Sequence, residues 1–108
     1  MAFDEALAAL VRALVAEVGA VEKKMFGGLA FLVRGNMSVA IHRSELLVRI
    51  DPAETERALN EPGVRICDVT GRPMRGWLLV APSALDKKAS LSKWVSKSVR
   101  YAQTLPAK

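Results

Sequence analysis

Histidine and cysteine each occur once in this chain, as His42 and Cys67, and chemistry would be assigned to them first. A thiolate nucleophile needs a base and an orienting group beside it, and His42 is the one imidazole available to Cys67. Nothing in their spacing brings the two within reach, and a buried, inert cysteine is the commoner use of a single thiol. A metal site of the usual nitrogen and sulfur ligands would have to borrow carboxylates, and no ligand spacing is visible. The nearest carboxylate pairs, Glu54 with Glu56 and Glu17 with Glu22, fall where helix caps and charged links are expected, which makes them solvated structural groups. The residues therefore read as a non-enzymatic chain with no cofactor and no metal.

Glycine, arginine and lysine offer a second set of sites. Gly27-Gly28 lacks the context of a phosphate loop, which leads from a strand into a helix N-terminus with lysine nearby. Adjacent glycines within a strand instead imply a bulge, a sharp twist or the close approach of another backbone. Gly71-Arg72-Pro73-Met74-Arg75-Gly76 is the better candidate. Arg72 and Arg75 can present guanidinium groups to a carboxylate or phosphate, or pair with this chain's own acids, for example Asp68. The net charge of +5 is concentrated at one end: residues 87–108 hold six bases and no acid, so residues 1–86, with 10 bases and 11 acids, sum to −1. Lys93, Lys97 and Arg100 form the centre of that basic run. They suit nucleic acid, an acidic partner or an anionic surface, or else a solvated helix face. Trp77 and Trp94 read as core anchors, unless one is partly exposed beside a basic patch, which would favour an interface.

The elements that must position these residues follow from periodicity. Phe3, Leu7, Leu10, Val11, Leu14 and Val18 recur at spacings of three and four, which predicts a helix over 4–18, capped by Asp4 and stopped by Gly19. A polar link, Glu22-Lys23-Lys24, leads into a strand over 25–34. That strand is apolar on both alternating sets, the pattern of burial on two faces. In the next strand Met37, Val39 and Ile41 alternate with Ser38, Ala40 and His42; in a third, Leu46, Val48 and Ile50 alternate with Leu47 and Arg49. Gly35-Asn36 and Ser44-Glu45 are short enough to be hairpin turns, so 24–50 reads as a three-stranded meander.

Asp51-Pro52-Ala53-Glu54 then starts a short helix that ends near Asn60. Strands over 64–69 and 77–81 flank a loop over 70–75. A final helix over 87–104 takes Asp86, or further on Ser90, as its cap. Leu91, Trp94, Val95, Val99 and Ala102 form its apolar stripe, with Lys93, Lys97 and Arg100 almost opposite. The order α-β-β-β-α-β-β-α argues for an α+β fold, an antiparallel sheet with packed helices. At 108 residues with 51% hydrophobic content, the chain is read as a single domain spanning 1–108. It carries no signal peptide or membrane anchor that can be recognised, and one unpaired cysteine is consistent with a reducing cytoplasm.

Met25-Phe26-Gly27-Gly28, followed by Phe31, a Gly35-centred turn and the strand that ends at Ile50, resembles the N-terminal domain of the TfoX/Sxy family. Gly71-Arg72-Pro73-Met74-Arg75-Gly76-Trp77, Trp94-Val95 and Leu105-Pro106 look like its compact members, so the resemblance spans essentially the whole chain. It implies a small α+β domain and, for the founding members, a role in activating competence genes alongside the cyclic-AMP receptor protein. Those founders carry a second, C-terminal domain, for which 108 residues leave no room. No catalytic residues come with the resemblance. The expected function is a regulatory or adaptor domain that acts through protein contacts, within transcription regulation. The alternatives are nucleic-acid binding by the basic C-terminal helix and, third, small-molecule binding or catalysis in a pocket containing His42, Cys67 or Arg72. A protein partner is expected, with nucleic acid or a second copy as further partners and no membrane.

Overall fold

The structure, a computed structural model, describes residues 3–25, 27–68 and 71–108. Phe26 of the first glycine motif, Val69 at the end of an expected strand and Thr70 at the start of the expected loop lie outside the described residues. Six strands, β1 (Val21–Met25), β2 (Gly28–Val33), β3 (Asn36–His42), β4 (Glu45–Arg49), β5 (Val64–Cys67) and β6 (Met74–Val80), make one antiparallel sheet in the order β1-β2-β3-β4-β6-β5. Helix α1 (Glu5–Leu14) precedes it, α2 (Thr55–Leu59) interrupts it and α3 (Lys88–Thr104) follows. The α+β class and the expected order hold, with one strand added.

That strand is β1, which includes the expected polar link. Val21 pairs with Leu32, Lys23 with Ala30 and Met25 with Gly28, so the expected strand over 25–34 starts at the end of β1, passes Gly27, at φ 75° in the hairpin turn, and is β2 only from Gly28 to Val33. Four of the five β1 residues are exposed, and alternation leaves no trace in a strand that is wet on both faces. Lys23 and Lys24 protect this edge against pairing with other chains. Gly28 shows why one motif holds two glycines: a Cβ there would lie 2.1 Å from the Ile41 carbonyl oxygen, so the backbones of β2 and β3 meet where no side chain fits.

The β2–β3 turn falls at Arg34-Gly35, one residue earlier than expected, and both residues have positive φ, as a two-residue hairpin requires. The tail closes on this turn, with the Lys108 N–H donating to the Arg34 carbonyl at 2.9 Å and Asn36 Nδ2 to the Pro106 carbonyl at 2.9 Å. Register shifts between Phe31 and Leu32, where Ser38 is buried and its Oγ donates to the Phe31 carbonyl at 2.9 Å. This bulge moves Met37 off the face that Val39 and Ile41 share.

Asp4 caps α1 by accepting from the Leu7 N–H at 3.0 Å. The helix ends at Leu14, and a 3-10 turn over Ala16–Val18 carries the chain to Gly19 in the left-handed conformation. Leu7, Ala8, Val11 and Val15 are buried, whereas Leu10 is 56% exposed and Val18 is also exposed, so the buried stripe is narrower than expected. Asp51 accepts from the Ala53 N–H at 3.0 Å and starts a 3-10 turn over Pro52–Glu54 that runs into α2. Thr55 fastens this segment: its buried hydroxyl donates to the Pro52 carbonyl at 2.7 Å and accepts from the Gly76 N–H at 2.9 Å. Lys87, not Asp86 or Ser90, occupies the cap position of α3, with no side-chain capping bond.

All three helices pack on one face of the sheet. Its core joins Leu7 and Val11 of α1 and Trp94, Val95 and Val99 of α3 to Phe31, Ile41, Leu46, Val48 and Leu78. A second cluster lies on the opposite face, with Ala30, Ala40, Leu47, Cys67 and Leu79 at its centre and Met25, Leu32, Met37, Met74 and Trp77 around them. Every one of its members belongs to a strand, and all six strands contribute. Among the described residues no helix covers this face.

Candidate contact surfaces

The arginine loop is shorter than expected, because β6 already begins at Met74. Arg75 thus sits on a strand, where Nη1 pairs with Glu56 Oε2 at 2.5 Å and Nη2 donates to the Pro52 carbonyl at 2.9 Å. Arg72 remains in the loop, exposed, with no ion pair among the described residues. Asp68, the acid considered for these arginines, instead pairs with Arg65 at 3.4 Å.

On α3 the apolar stripe is buried as expected, and Lys93, Lys97 and Arg100 lie on the other side. Lys93 Nζ pairs with Glu61 at 2.5 Å and stands 4.7 Å from the centre of the Trp94 ring. Lys97 Nζ pairs with Glu54 at 3.1 Å. Arg100 has no partner among the described residues. Ala89, Ser92 and Ser96 leave an open groove of about 710 Å³ between these cations. The short segment around α2 thus meets three of the five predicted cations with its own acids: Glu54 with Lys97, Glu56 with Arg75 and Glu61 with Lys93. Such exposed pairs contribute only about 0–1 kcal/mol each, but they offset the charge that a polyanion would meet.

His42 and Cys67 do not form a catalytic pair. They stand on β3 and β5, three strand spacings apart in the order β3-β4-β6-β5, or about 14 Å across the sheet. Cys67 is a free, fully buried thiol packed in the second cluster.

The surface that sequence reasoning missed is the uncovered sheet face. Small residues, Ala30 and Ala40, are buried at its middle, and Met25, Leu32, Met37, Met74 and Trp77 ring them. Cross-strand pairing puts Glu45 and Arg49 on this same face, at opposite ends of β4 with Leu47 between them. Arg65 Nη2 donates to Glu45 at 2.8 Å, and this hydrogen bond is the chief cause that raises the arginine's pKa above its ordinary value. The Arg49 guanidinium lies 4.8 Å from the centre of the Trp77 ring and 5.7 Å from that of Tyr101. Trp77 is therefore a half-buried rim residue in a cation–π contact, while Trp94 alone is the deep core anchor. The signal was present in the strand over 25–34, whose two apolar sets demand burial on both faces although helices cover only one.

These features define a two-layer α+β domain with one helical layer, a far sheet face that no helix covers among the described residues, and a basic helix whose Lys93 and Lys97 are paired with acids around α2. The family model of the TfoX N-terminal domain matches residues 13–102, and the chain belongs to that family. No curated protein and no solved structure matches it.

Proposed function

We propose that this chain is a non-enzymatic regulatory or adaptor module that works through protein contact, within transcription regulation, and that the uncovered sheet face is its contact surface. The observation that carries this reading is the second cluster itself, an apolar layer with members from six strands and no helix above it among the described residues. Its accessible part is the partly buried ring of Met25, Leu32, Met37, Met74 and Trp77 over a buried centre, and methionine-rich surfaces repack to fit their partners. Trp77 beside Arg49 supplies the aromatic and cationic anchors typical of interfaces. The free thiol of Cys67 suits a reducing cytoplasm. The test is a pull-down at physiological salt with the wild type and a Met37→Glu variant. A specific partner held by the first and lost by the second is the expected result; no specific partner for the wild type overturns the reading.

A second reading rests on Arg100, which, with Arg72, has no ion pair with this chain's acids among the described residues. Phosphate contact along the α3 groove predicts duplex nucleic-acid binding that falls steeply with salt. It also predicts weaker binding when Lys93, Lys97 and Arg100 are all replaced by glutamine. Binding that ignores salt, or none, removes this reading.

A further inference from the structure

On the basis that the sheet face is a contact surface, we propose that its occupant is an acidic and apolar peptide segment of a partner protein, with a carboxylate received by Arg49. The middle of the face is closed, since Ala30, Ala40 and Leu47 are buried. What stays accessible is a row toward the end of the sheet where β4 finishes. Val21 is paired with Leu32, and Leu32 with Met37. One step beyond the Val39–Val48 pair, Arg49 comes level with the bulge at Ser38, and on its other side Arg49 is paired with Trp77. Val21 is exposed, and Leu32, Met37, Arg49 and Trp77 are half-buried. The row runs from β1 to β6 across four strand spacings of about 4.8 Å, so it is about 19 Å long, the reach of about six extended residues.

Charge decides the chemistry of the occupant. The Arg49 guanidinium stands over the Trp77 ring at 4.8 Å and the Tyr101 ring at 5.7 Å, so its planar face is held while its N–H edge suits a bidentate carboxylate. Among the described residues it has no ion pair with an acid of this chain. Glu45, the acid on the same face, is taken by Arg65 at 2.8 Å, and Asp51, two residues beyond Arg49, accepts from the Ala53 N–H. Arg100, next to Tyr101, also lacks an ion pair among the described residues, and Arg34 Nη1 donates to the Gln103 carbonyl at 3.3 Å. With three arginines set against Asp51, this end of the molecule attracts negative charge. A nucleic acid would meet the arginine but leave Val21, Leu32 and Met37 uncovered, and a wholly apolar segment would do the reverse. A peptide that carries both acidic and apolar side chains covers the whole row, and the prior fixing of Arg49 by two rings lowers the entropy lost on binding.

The test selects random peptides of about 12 residues, twice the length of the row, on the folded wild type, and then titrates the enriched peptide in by NMR. Enriched sequences are expected to set Asp or Glu beside Leu, Met or Phe, and to shift the Arg49 Nε–H, Trp77 indole and Met37 methyl resonances. So small a contact predicts a dissociation constant of about 10–100 μM. Arg49→Gln is expected to stay folded by circular dichroism and to raise that constant at least about 10-fold; Arg49→Lys, which keeps the charge and loses the fork, should fall between. Replacing the peptide's acid by glutamine should weaken binding to the wild type but not to Arg49→Gln, which shows that the two groups meet. No enrichment, enriched sequences without acids, or acidic peptides held equally well by Arg49→Gln overturn the proposal. So does a single-stranded oligothymidylate bound through Arg49 more tightly than the peptide, which would assign the site to nucleic acid. A pull-down partner lost with Met37→Glu but kept with Arg49→Gln would remove the acidic occupant and leave the contact surface standing. Peptides that require Arg49, with no partner in the pull-down, would keep the site and remove the adaptor reading.

Discussion

On one side of the sheet Phe31, Ile41, Leu46, Val48 and Leu78 stand beneath Leu91 and Trp94 of α3. On the other side the same strands present Ala30, Ala40, Leu47 and Leu79, roofed among the described residues only by side chains from neighbouring strands, Met25, Leu32, Met37, Met74 and Trp77. Branched and aromatic residues locked between two layers have few alternative packings, so the helix side specifies the fold. Small residues under flexible thioethers can rearrange, so the other side is better suited to accepting a partner. The chain has four methionines, and three of them lie on this second face.

The largest expected effect tests the helix side. Phe31 is fully buried in the two-layer core, and Phe31→Ala should cost about 3–5 kcal/mol in urea unfolding, enough to leave a domain of this size barely folded. On the uncovered side Leu79 is equally buried. Leu79→Ala should nevertheless cost only about 2 kcal/mol, the lower end for a leucine, because the methionines above it can collapse into the space. Equal losses at the two positions would mean that both faces are equally rigid, and the distinction between them would fail.

The helix side was the legible one. Periodicity located α3 and its stripe, Asp4 and Asp51 announced two helix starts, and the alternation of β4 assigned its residues to the right faces, because in each case one local pattern has one local cause. β1 was not legible, since an edge strand takes its stability from pairing with β2 and needs no apolar alternation of its own. The bulge at Ser38 was hidden because it depends on a bond to Phe31 on the neighbouring strand, and it moved Met37 to the other face. The candidate site divided in the same way. Arginine and lysine positions could be read, but whether they were free could not: Glu54, Glu56 and Glu61 approach Lys97, Arg75 and Lys93 only through the tertiary fold. That only one side of a doubly apolar strand receives helices is likewise a property of the assembled chain.

A smaller effect, of opposite sign, concerns a flaw in the helical layer. Ser98 of α3 is fully buried, and its Oγ has no hydrogen-bond partner among the described residues. An unsatisfied buried hydroxyl costs about 1–3 kcal/mol, and alanine removes it with little change in volume. Ser98→Ala should therefore stabilise the domain by about 1 kcal/mol, read as a higher urea midpoint with an unchanged slope. A loss of stability would show that this packed layer uses the hydroxyl, and that its order is not purely apolar.

The smallest effect lies where the two layers are tied at the sheet edge. Arg12 of α1 makes a bidentate pair with Glu22 of β1, Nε meeting Oε2 and Nη2 meeting Oε1 at 2.9 Å. The hydrogen bond from Arg12 holds the Glu22 carboxyl below its ordinary value, against a weaker opposing effect of desolvation. A carboxylate lowered in the folded state stabilises the fold above its unfolded pKa, and that contribution disappears as pH falls through the folded value. Glu22→Gln should therefore be slightly less stable than the wild type at neutral pH, with the difference vanishing in acid below the usual carboxylate range. Both partners are solvent-exposed, so the difference should be smaller than that of any core substitution above. Urea midpoints of the two proteins across this range, with the Glu22 titration followed by NMR, give the measurement. A difference that grew in acid would contradict the direction of the shift, and no difference at any pH would mean that β1 is held to the helical layer without this pair, by its backbone pairing to β2 alone.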